Sequence, residues 1–302
     1  MSTISFIILN YNGFDETTKL VDSMIKWDSK ALDFQIVIVD NCSSDDSFSR
    51  LSDRYAENNV VDVIQSQKNG GYSYGNNYGT RYAIKHHDPR YIAISNPDVE
   101  LEQGMICSLL NTFDFDDRIG MCAPIMKAVD GSYRIYAQDL PTYEDDLKAC
   151  SVFDRSRTLK QEGYSTLNEN ENLILTEMIP GSFFVVRADY FQKVGMFDES
   201  VFLYCEERII GKKMKDAGYI AIKRADLFYV HAHSVTTKKA FNEINRWRIL
   251  LNSRLYYEKE YLKKSTAQLM LLKLSMKKYL VELRTLYLVN DIKQNIRKKS
   301  AS

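Results

Sequence analysis

Cysteine is too sparse and too scattered in this chain to build anything covalent. The five cysteines (Cys42, Cys107, Cys122, Cys150 and Cys205) are odd in number and contain no Cys-x-x-Cys pair. That excludes a disulfide framework and a zinc knuckle and fits a reducing compartment. Long apolar runs are missing as well: no uninterrupted stretch reaches 18 residues, so no transmembrane helix is expected. The N-terminus has no basic stretch, long apolar core or small-residue cleavage site, and a cytoplasmic location is the expectation. The dinucleotide fingerprint Gly-x-Gly-x-x-Gly does not occur. Gly70 and Gly75 have P-loop spacing, but Asn76-Asn77 stands where Lys and Ser or Thr should follow. Both a dinucleotide oxidoreductase and a nucleoside triphosphatase are therefore disfavoured. No internal repeat or low-complexity tract is found.

What the chain does have is a repeated strand ending. Ile4 to Leu9 runs into Asn10-Tyr11-Asn12, Ile36 to Val39 into Asp40-Asn41, and Tyr91 to Ile94 into Ser95-Asn96-Pro97-Asp98. Short runs rich in Ile and Val read as buried parallel strands. Ligands of open α/β sheets sit beyond the carboxyl ends of such strands, so this polar edge is the expected site. Helices are expected from Asp15 or Thr17 to about Trp27, near Ser47 to Glu57, and from about Tyr74 to His86, with a further strand near Val60 to Gln65. The alternation predicts a parallel, doubly wound sheet. Residues 131 to 172 are polar and read as a loop or lid. Tyr219 to Ile222 and Leu227 to Val230 read as two later strands. The segment Asn69 to Gly79 reads as a loop that brings backbone amides, including that of Gly71, close to a diphosphate at a helix start; the alternative is a tight turn built for packing.

Zero net charge conceals an asymmetry. Residues 238 to 302 hold 16 Lys and Arg against 5 acidic residues, which leaves 24 basic against 35 acidic in residues 1 to 237. Lys238 to Lys299 has neither Gly nor Pro, and Leu269, Leu272, Met276, Leu280, Leu283 and Leu286 recur at helical spacing, which predicts nearly continuous helix. Such a helix suits an anionic membrane surface, with Trp247, Tyr256, Tyr257, Tyr261 and Tyr279 as interfacial aromatics. The competing reading is a basic helical pair packed on the acidic body or on a second copy. No nucleic-acid motif accompanies the charge.

In order along the chain, Ile-Ile-Leu-Asn-Tyr-Asn, Val-Asp-Asn-Cys-Ser-Ser-Asp-Asp-Ser, Asn-Gly-Gly-Tyr-Ser-Tyr-Gly-Asn-Asn and Ser-Asn-Pro-Asp-Val closely resemble the N-terminal half of glycosyltransferase family 2. Pro180 to Phe184, Val194 to Glu199, Phe202 to Glu207 and His231 to Thr236 resemble its acceptor half. The Asn-Pro-Asp and Phe-Asp-Glu blocks look most like the rhamnosyltransferase-type subgroup. The resemblance implies an inverting enzyme of GT-A fold: a mostly parallel sheet flanked by helices, here with a helical C-terminal extension. Residues 1–105 would bind the nucleotide sugar, 106–237 would carry acceptor binding and catalysis, and 238–302 would form the basic tail.

The resemblance also implies roles. Asp98 stands at the family's Asp-x-Asp, whose first carboxylate is Asn96 here, and with His231 would hold Mg²⁺ or Mn²⁺ against the leaving diphosphate; His233 is the fallback for His231. Asp40 would bond the imino edge of a pyrimidine. Asn10, Asn12, Asn41, Asn69 and Asn77 either touch the donor or only close turns. The base that takes the acceptor's proton maps to Glu206-Glu207, with Glu207 preferred, and the usual Glu-Asp-x-Asp-Leu is altered to Glu-Glu-Arg-Ile-Ile. The implied reaction moves a sugar, foremost L-rhamnose from dTDP-rhamnose, onto a growing, lipid-linked bacterial surface glycan at the inner membrane face. A UDP donor of galactofuranose or N-acetylhexosamine, and a binding-only protein, are the alternatives. A nucleotidyltransferase would need Arg and Lys near the N-terminus, where Asn10-Tyr11-Asn12-Gly13 offers neither. A homo-oligomer is possible on the same footing.

Overall fold

A computed structural model describes residues 3–151, 164–232 and 243–300, with side chains as far as residue 286. The elements run β1 (Ile4–Asn10), α1 (Phe14–Met24), β2 (Phe34–Asp40), α2 (Ser47–Tyr55), β3 (Val61–Gln65), α3 (Gly71–His87), β4 (Tyr91–Ser95), β5 (Val99–Glu100), α4 (Gln103–Leu110), β6 (Ile119–Lys127), α5 (Tyr143–Lys148), β7 (Leu173–Thr176), β8 (Phe183–Arg187), α6 (Ala188–Lys193), α7 (Glu206–Asp216) and β9 (Ile220–His231). Two longer helices follow, Glu243–Glu260 and Thr266–Ser300. The chain divides into two compact units, one of residues 1–140 and 163–240, the other of residues 141–162 and 241–302.

The first unit is a mixed sheet in the order β3-β2-β1-β4-β8-β6-β9-β5, with β7 also paired to β9. Strands β1 to β4 pair parallel, as their apolar runs predict, and β8 enters antiparallel between β4 and β6. Apolar residues on both pleats explain why those runs are continuous. Phe6, Ile8, Ile36 and Ile38 face a core with Leu20, Val21, Leu51 and Ile106 of α1, α2 and α4. Ile7, Val37, Val39, Ile92 and Ile94 face a second core with Ala83, Phe191, Ile210 and Met214 of α3, α6 and α7. A sheet covered by helices on both faces needs this pattern. It is the GT-A architecture.

Two expectations change in this unit. The glycine-rich segment is helix from Gly71, not a loop up to Tyr74. A Cβ on Gly75 would overlap Leu9, and one on Gly79 would overlap Val39 and Ile7. These glycines let α3 lie directly on the sheet, and their low helix propensity is outweighed by that packing. The two late strands are one, β9, bent where its register against β6 jumps from Pro124–Arg224 to Ile125–Phe228. Such a bulge re-aims the strand end that carries His231.

The second unit corrects the tail. Helix stops at Glu260 and restarts at Thr266, with Lys263 at φ 51° between them. Ser265 Oγ and Gln268 Oε1 bond each other 3.0 Å apart at the new N-terminus, with Gln268 N also 3.4 Å from Ser265 Oγ, a Ser-x-x-Gln capping signal that apolar periodicity alone passes over. Tyr257 and Tyr279 are fully buried and Trp247 packs edge-on against Tyr279, ring centres 5.3 Å apart. Tyr279 and Trp247 belong to a core with Tyr143, Leu251, Leu272 and Met276, and Tyr257 stacks on Tyr261, ring centres 5.9 Å apart, so these three are not interfacial anchors. Part of the expected lid thus supplies α5 to this unit. Residues 238–242 of the expected helix, His233 and residues 152–163 lie outside the described residues.

Candidate active site

The polar strand ends of the first unit converge. Asn10 Nδ2 donates to Asp40 Oδ2 at 2.9 Å and Asn10 Oδ1 accepts from Thr17 at 2.9 Å. Asp40 also accepts from the Ser43 amide (2.9 Å), the Ser43 hydroxyl (2.6 Å) and Gln65 Nε2 (3.1 Å). Four donors engage both oxygens of this fully buried carboxylate, which orders the edge and saturates the group within the protein. Asn12 takes positive φ, 51°, and its Oδ1 caps the Ser44 amide at 2.9 Å. Asn10 and Asn12 thereby tie the end of β1 to the end of β2 and the segment that follows it.

Asn41 ties that edge to the start of α3, donating to Asn69 Oδ1 (3.2 Å) and the Gly71 carbonyl (3.1 Å). Asn69 Oδ1 also accepts the Gly71 amide at 3.2 Å. Gly71 has φ 85°, and a Cβ there would overlap the Phe202 carbonyl, which accepts the Tyr72 amide at 2.9 Å. Only glycine permits this approach. Asn77 is directed elsewhere: it donates to the Phe197 carbonyl (3.0 Å) and Glu199 (2.9 Å) and accepts the Phe197 amide (3.1 Å). It clamps α3 to the Phe197–Glu199 segment.

Beyond β4, Asp98 Oδ1 lies 3.1 Å from His231 Nε2, both side chains nearly buried. The Val99–His231 pairing of β5 with β9 and the Ala232 amide bond to the Asp98 carbonyl (3.0 Å) hold them in register. Among the described residues no group of three His, Cys, Asp or Glu side chains gathers for a metal. A carboxylate oxygen and an imidazole nitrogen side by side are donor types that Mn²⁺ or Mg²⁺ accepts, and diphosphate oxygens and water would have to complete such a site. The Asn96 amide donates to the Ser182 carbonyl at 2.8 Å. Ser182 Oγ is 2.6 Å from the hydroxyl of Tyr229, whose pKa is raised by burial and by neighbours including Asp98.

The residue before Ser182 links this corner to the carboxylate pair. Tyr72 Oη donates to the Gly181 carbonyl at 2.5 Å. A Cβ on Gly181 would stand 3.1 Å from that hydroxyl and 3.7 Å from Glu207 Cγ. Tyr204 and Cys205 both hold left-handed φ, 69° and 66°, in the turn that starts α7. Consecutive non-glycine residues in this region store strain, as functional sites do. The turn delivers Glu206 and Glu207 to the edge. Burial, then the neighbouring Glu207, pushes the Glu206 carboxyl well above its ordinary range. Glu207 is less enclosed and is also raised by burial, with backbone bonding and Arg208 acting the other way. Two adjacent carboxyls in such a place resist losing both protons, and the more buried Glu206 is raised the more strongly. Tyr72 is raised by burial and by the negative potential of both glutamates. Tyr72 and the strained turn were not legible beforehand, because an aromatic within a glycine-rich segment carries no signal of its distant partner.

Comparisons with known proteins place the chain in a family. The model of glycosyl transferase family 2 matches residues 5–195. An N-acetylglucosaminyl-diphospho-decaprenol L-rhamnosyltransferase of Mycobacterium tuberculosis is 27% identical over 150 residues, 48% of each chain. The low-salt glycan biosynthesis hexosyltransferase Agl10 of Haloferax volcanii is 27% identical over 207 residues, 68% of this chain and 60% of its own. The chain thus spans about half the length of the first of these relatives and three fifths of the second. Among solved structures, the mannosyltransferase PcManGT of Pyrobaculum calidifontis, in complex with GDP-Man and Mn²⁺, has a TM-score of 0.58 at 15% identity, covering 92% of this chain and 70% of that one. That likeness shows the fold. On the family match, which takes in the polar edge from Asn10 to Asp98 and the Gly181 corner, this chain belongs to glycosyl transferase family 2.

Proposed function

We propose that the chain is an inverting glycosyltransferase of surface-glycan biosynthesis, taking L-rhamnose from dTDP-rhamnose and adding it to a lipid-linked acceptor. The observation that carries this reading is the Gly181–Ser182 corner. Its backbone bonds Tyr72 and faces Glu207 on one side, and bonds Asn96, two residues from Asp98, on the other. A donor diphosphate near Asp98 and an acceptor hydroxyl near Glu207 would then lie on either side of this one backbone corner. The names of the relatives from Mycobacterium and Haloferax support the class of reaction and of product.

In this reading the residues divide the work. Glu207 accepts the acceptor's proton as the hydroxyl attacks the anomeric carbon opposite the diphosphate, so one displacement inverts the centre. Glu206, its carboxyl raised by burial and by Glu207, favours the neutral form beside that oxygen. Asp98 and His231 would hold Mg²⁺ or Mn²⁺, which neutralises charge on the departing diphosphate. The Gly71 and Tyr72 amides at the start of α3, expected at the diphosphate, are instead taken up by Asn69 Oδ1 and the Phe202 carbonyl. The assay is nucleotide release from dTDP-rhamnose, with UDP-galactofuranose and UDP-N-acetylhexosamines beside it, with and without lipid-linked acceptor. Acceptor-dependent release is expected. Binding without turnover would make the chain a binding-only member, and release from a UDP sugar alone would replace the donor.

The helical unit supports contact with an anionic membrane at the inner face. Met270, Leu274 and Val281 are each more than 60% exposed and share one face of the Thr266–Ser300 helix, with exposed Lys273, Lys277, Lys278 and Arg284 beside them. No helix among the described residues is long and apolar enough to cross a bilayer. A second copy of the chain is the competing occupant of that face.

A further inference from the structure

Beside Pro180 the first unit holds a cavity of about 310 Å³ that the donor site does not use. Its walls include Met126 from β6, Lys223 from β9, and Tyr133, Arg134 and Tyr136 from the segment after β6. Met126 Sδ lies 3.9 Å from Ser182 Oγ, and Pro180 precedes the glycine that faces Glu207. The cavity and the carboxylate pair therefore adjoin through residues 180 to 182.

Lys223 is the wall that packing does not explain. It is 3% exposed, and its ammonium donates to Gln138 Oε1 (3.0 Å) and the Tyr136 carbonyl (3.3 Å) and lies 4.3 Å from the Tyr136 ring centre. All three neighbours are neutral, and no carboxylate pairs with it among the described residues. Burial alone pushes its pKa down to about 8, so it still carries its proton at pH 7. A buried ammonium without a counter-charge is costly, and Met or Leu would fill the same space without that cost. Exposed Arg134 adds a second positive group at the rim. This lies within residues 1 to 237, which hold 24 basic against 35 acidic residues, so the local charge runs against its surroundings. Aromatic walls with one placed charge are the composition of a small-molecule site.

We propose that this cavity is the acceptor subsite, and that Lys223 binds an anionic group, phosphoryl or carboxylate, carried by the acceptor glycan. The proposal rests on the transferase reading of the adjoining pair. Anion binding supplies the missing counter-charge and restores the lysine's proton affinity.

Calorimetry on the full chain tests it, with the donor site filled by whichever of dTDP, UDP or GDP binds. The probes are α-D-glucose 1-phosphate, D-glucuronate and neutral D-glucose. At pH 7 at least one anionic sugar binds about tenfold or more tighter than glucose, as expected for a buried charge contact; which one does so names the group. The preference disappears in Lys223→Met, persists in Lys223→Arg, and fades at pH 9 as the ammonium loses its proton. Equal binding of all three sugars, or an unchanged preference in Lys223→Met, overturns the proposal. Should Lys223→Met not fold, Arg134→Glu at the exposed rim must weaken the anionic sugar several-fold and leave glucose unchanged, and no weakening counts against it. If none of the three nucleotides binds, the transferase reading fails, while the sugar titration without nucleotide still reads Lys223.

Discussion

Replacing each glutamate of the pair by glutamine separates their roles, because the two carboxyls sit in unequal surroundings. Glu206 is 7% exposed and is raised by burial and by its neighbour more strongly than Glu207, so it is the member of the pair that keeps its proton to higher pH. Glutamine has almost the shape of a protonated glutamate and also donates a hydrogen. Glu206→Gln is therefore expected to keep turnover within about threefold, a barrier change of about 0.7 kcal/mol or less. Glu207→Gln removes the group that takes the proton, and general-base removal costs about 10²- to 10⁴-fold in kcat, roughly 2.7 to 5.5 kcal/mol of barrier. Nucleotide affinity should stay near wild type in both. The pH profile adds a sign. A carboxyl raised by burial acts as a base only above its raised pKa, so kcat/KM climbs with pH along a limb above the ordinary glutamate range. Stability runs the other way: a raised folded pKa gives stability that is full below the unfolded value and is lost as pH rises through the folded value. Glu206→Gln should thus raise Tm at pH 7 and not at pH 4. The assay is acceptor-dependent nucleotide release, followed from pH 4 to 9 beside thermal unfolding. Equal loss of turnover in both variants, or wild-type turnover in Glu207→Gln, refutes the division of roles.

Gly71→Ala must place a side chain where φ is 85° and the Phe202 carbonyl stands, so a loss of about 1–3 kcal/mol is expected; denaturant unfolding checks it, and an unchanged midpoint contradicts the close approach. Asp98→Asn is expected to abolish the strengthening of nucleotide binding by Mn²⁺ while leaving metal-free binding unchanged, measured by titration with and without the ion. Metal-enhanced affinity that survives this substitution places the cation elsewhere. Glu in place of Met270, Leu274 and Val281 together should cut co-sedimentation with anionic vesicles and leave Tm unchanged, since these side chains are exposed. If sedimentation holds and a dimer dissociates instead, the face belongs to a second copy.

The sequence by itself determined the parallel half of the sheet and the polar edge. Strands buried on both faces must be apolar at every position, and the Asn and Asp that end them interrupt that run in plain view, so β1, β2, β4 and the places of Asp40 and Asp98 were legible. Local patterns also carried the family resemblance from Asn10 to His231. Tertiary structure alone decided the rest. The glycines of α3 read as a loop because nothing local shows that Leu9, Val39 and Ile7 press on them. Tyr257 and Tyr279 read as surface aromatics because helical periodicity names a face without saying what covers it. The corner at Gly181 joins Tyr72, Glu207 and Asn96, which stand far apart along the chain. Lys223 stayed unremarked because a lysine in a strand acquires meaning only when burial strips its water and leaves no carboxylate beside it. Local residue patterns fix which groups can meet water or a core; the path of the chain fixes which groups meet one another.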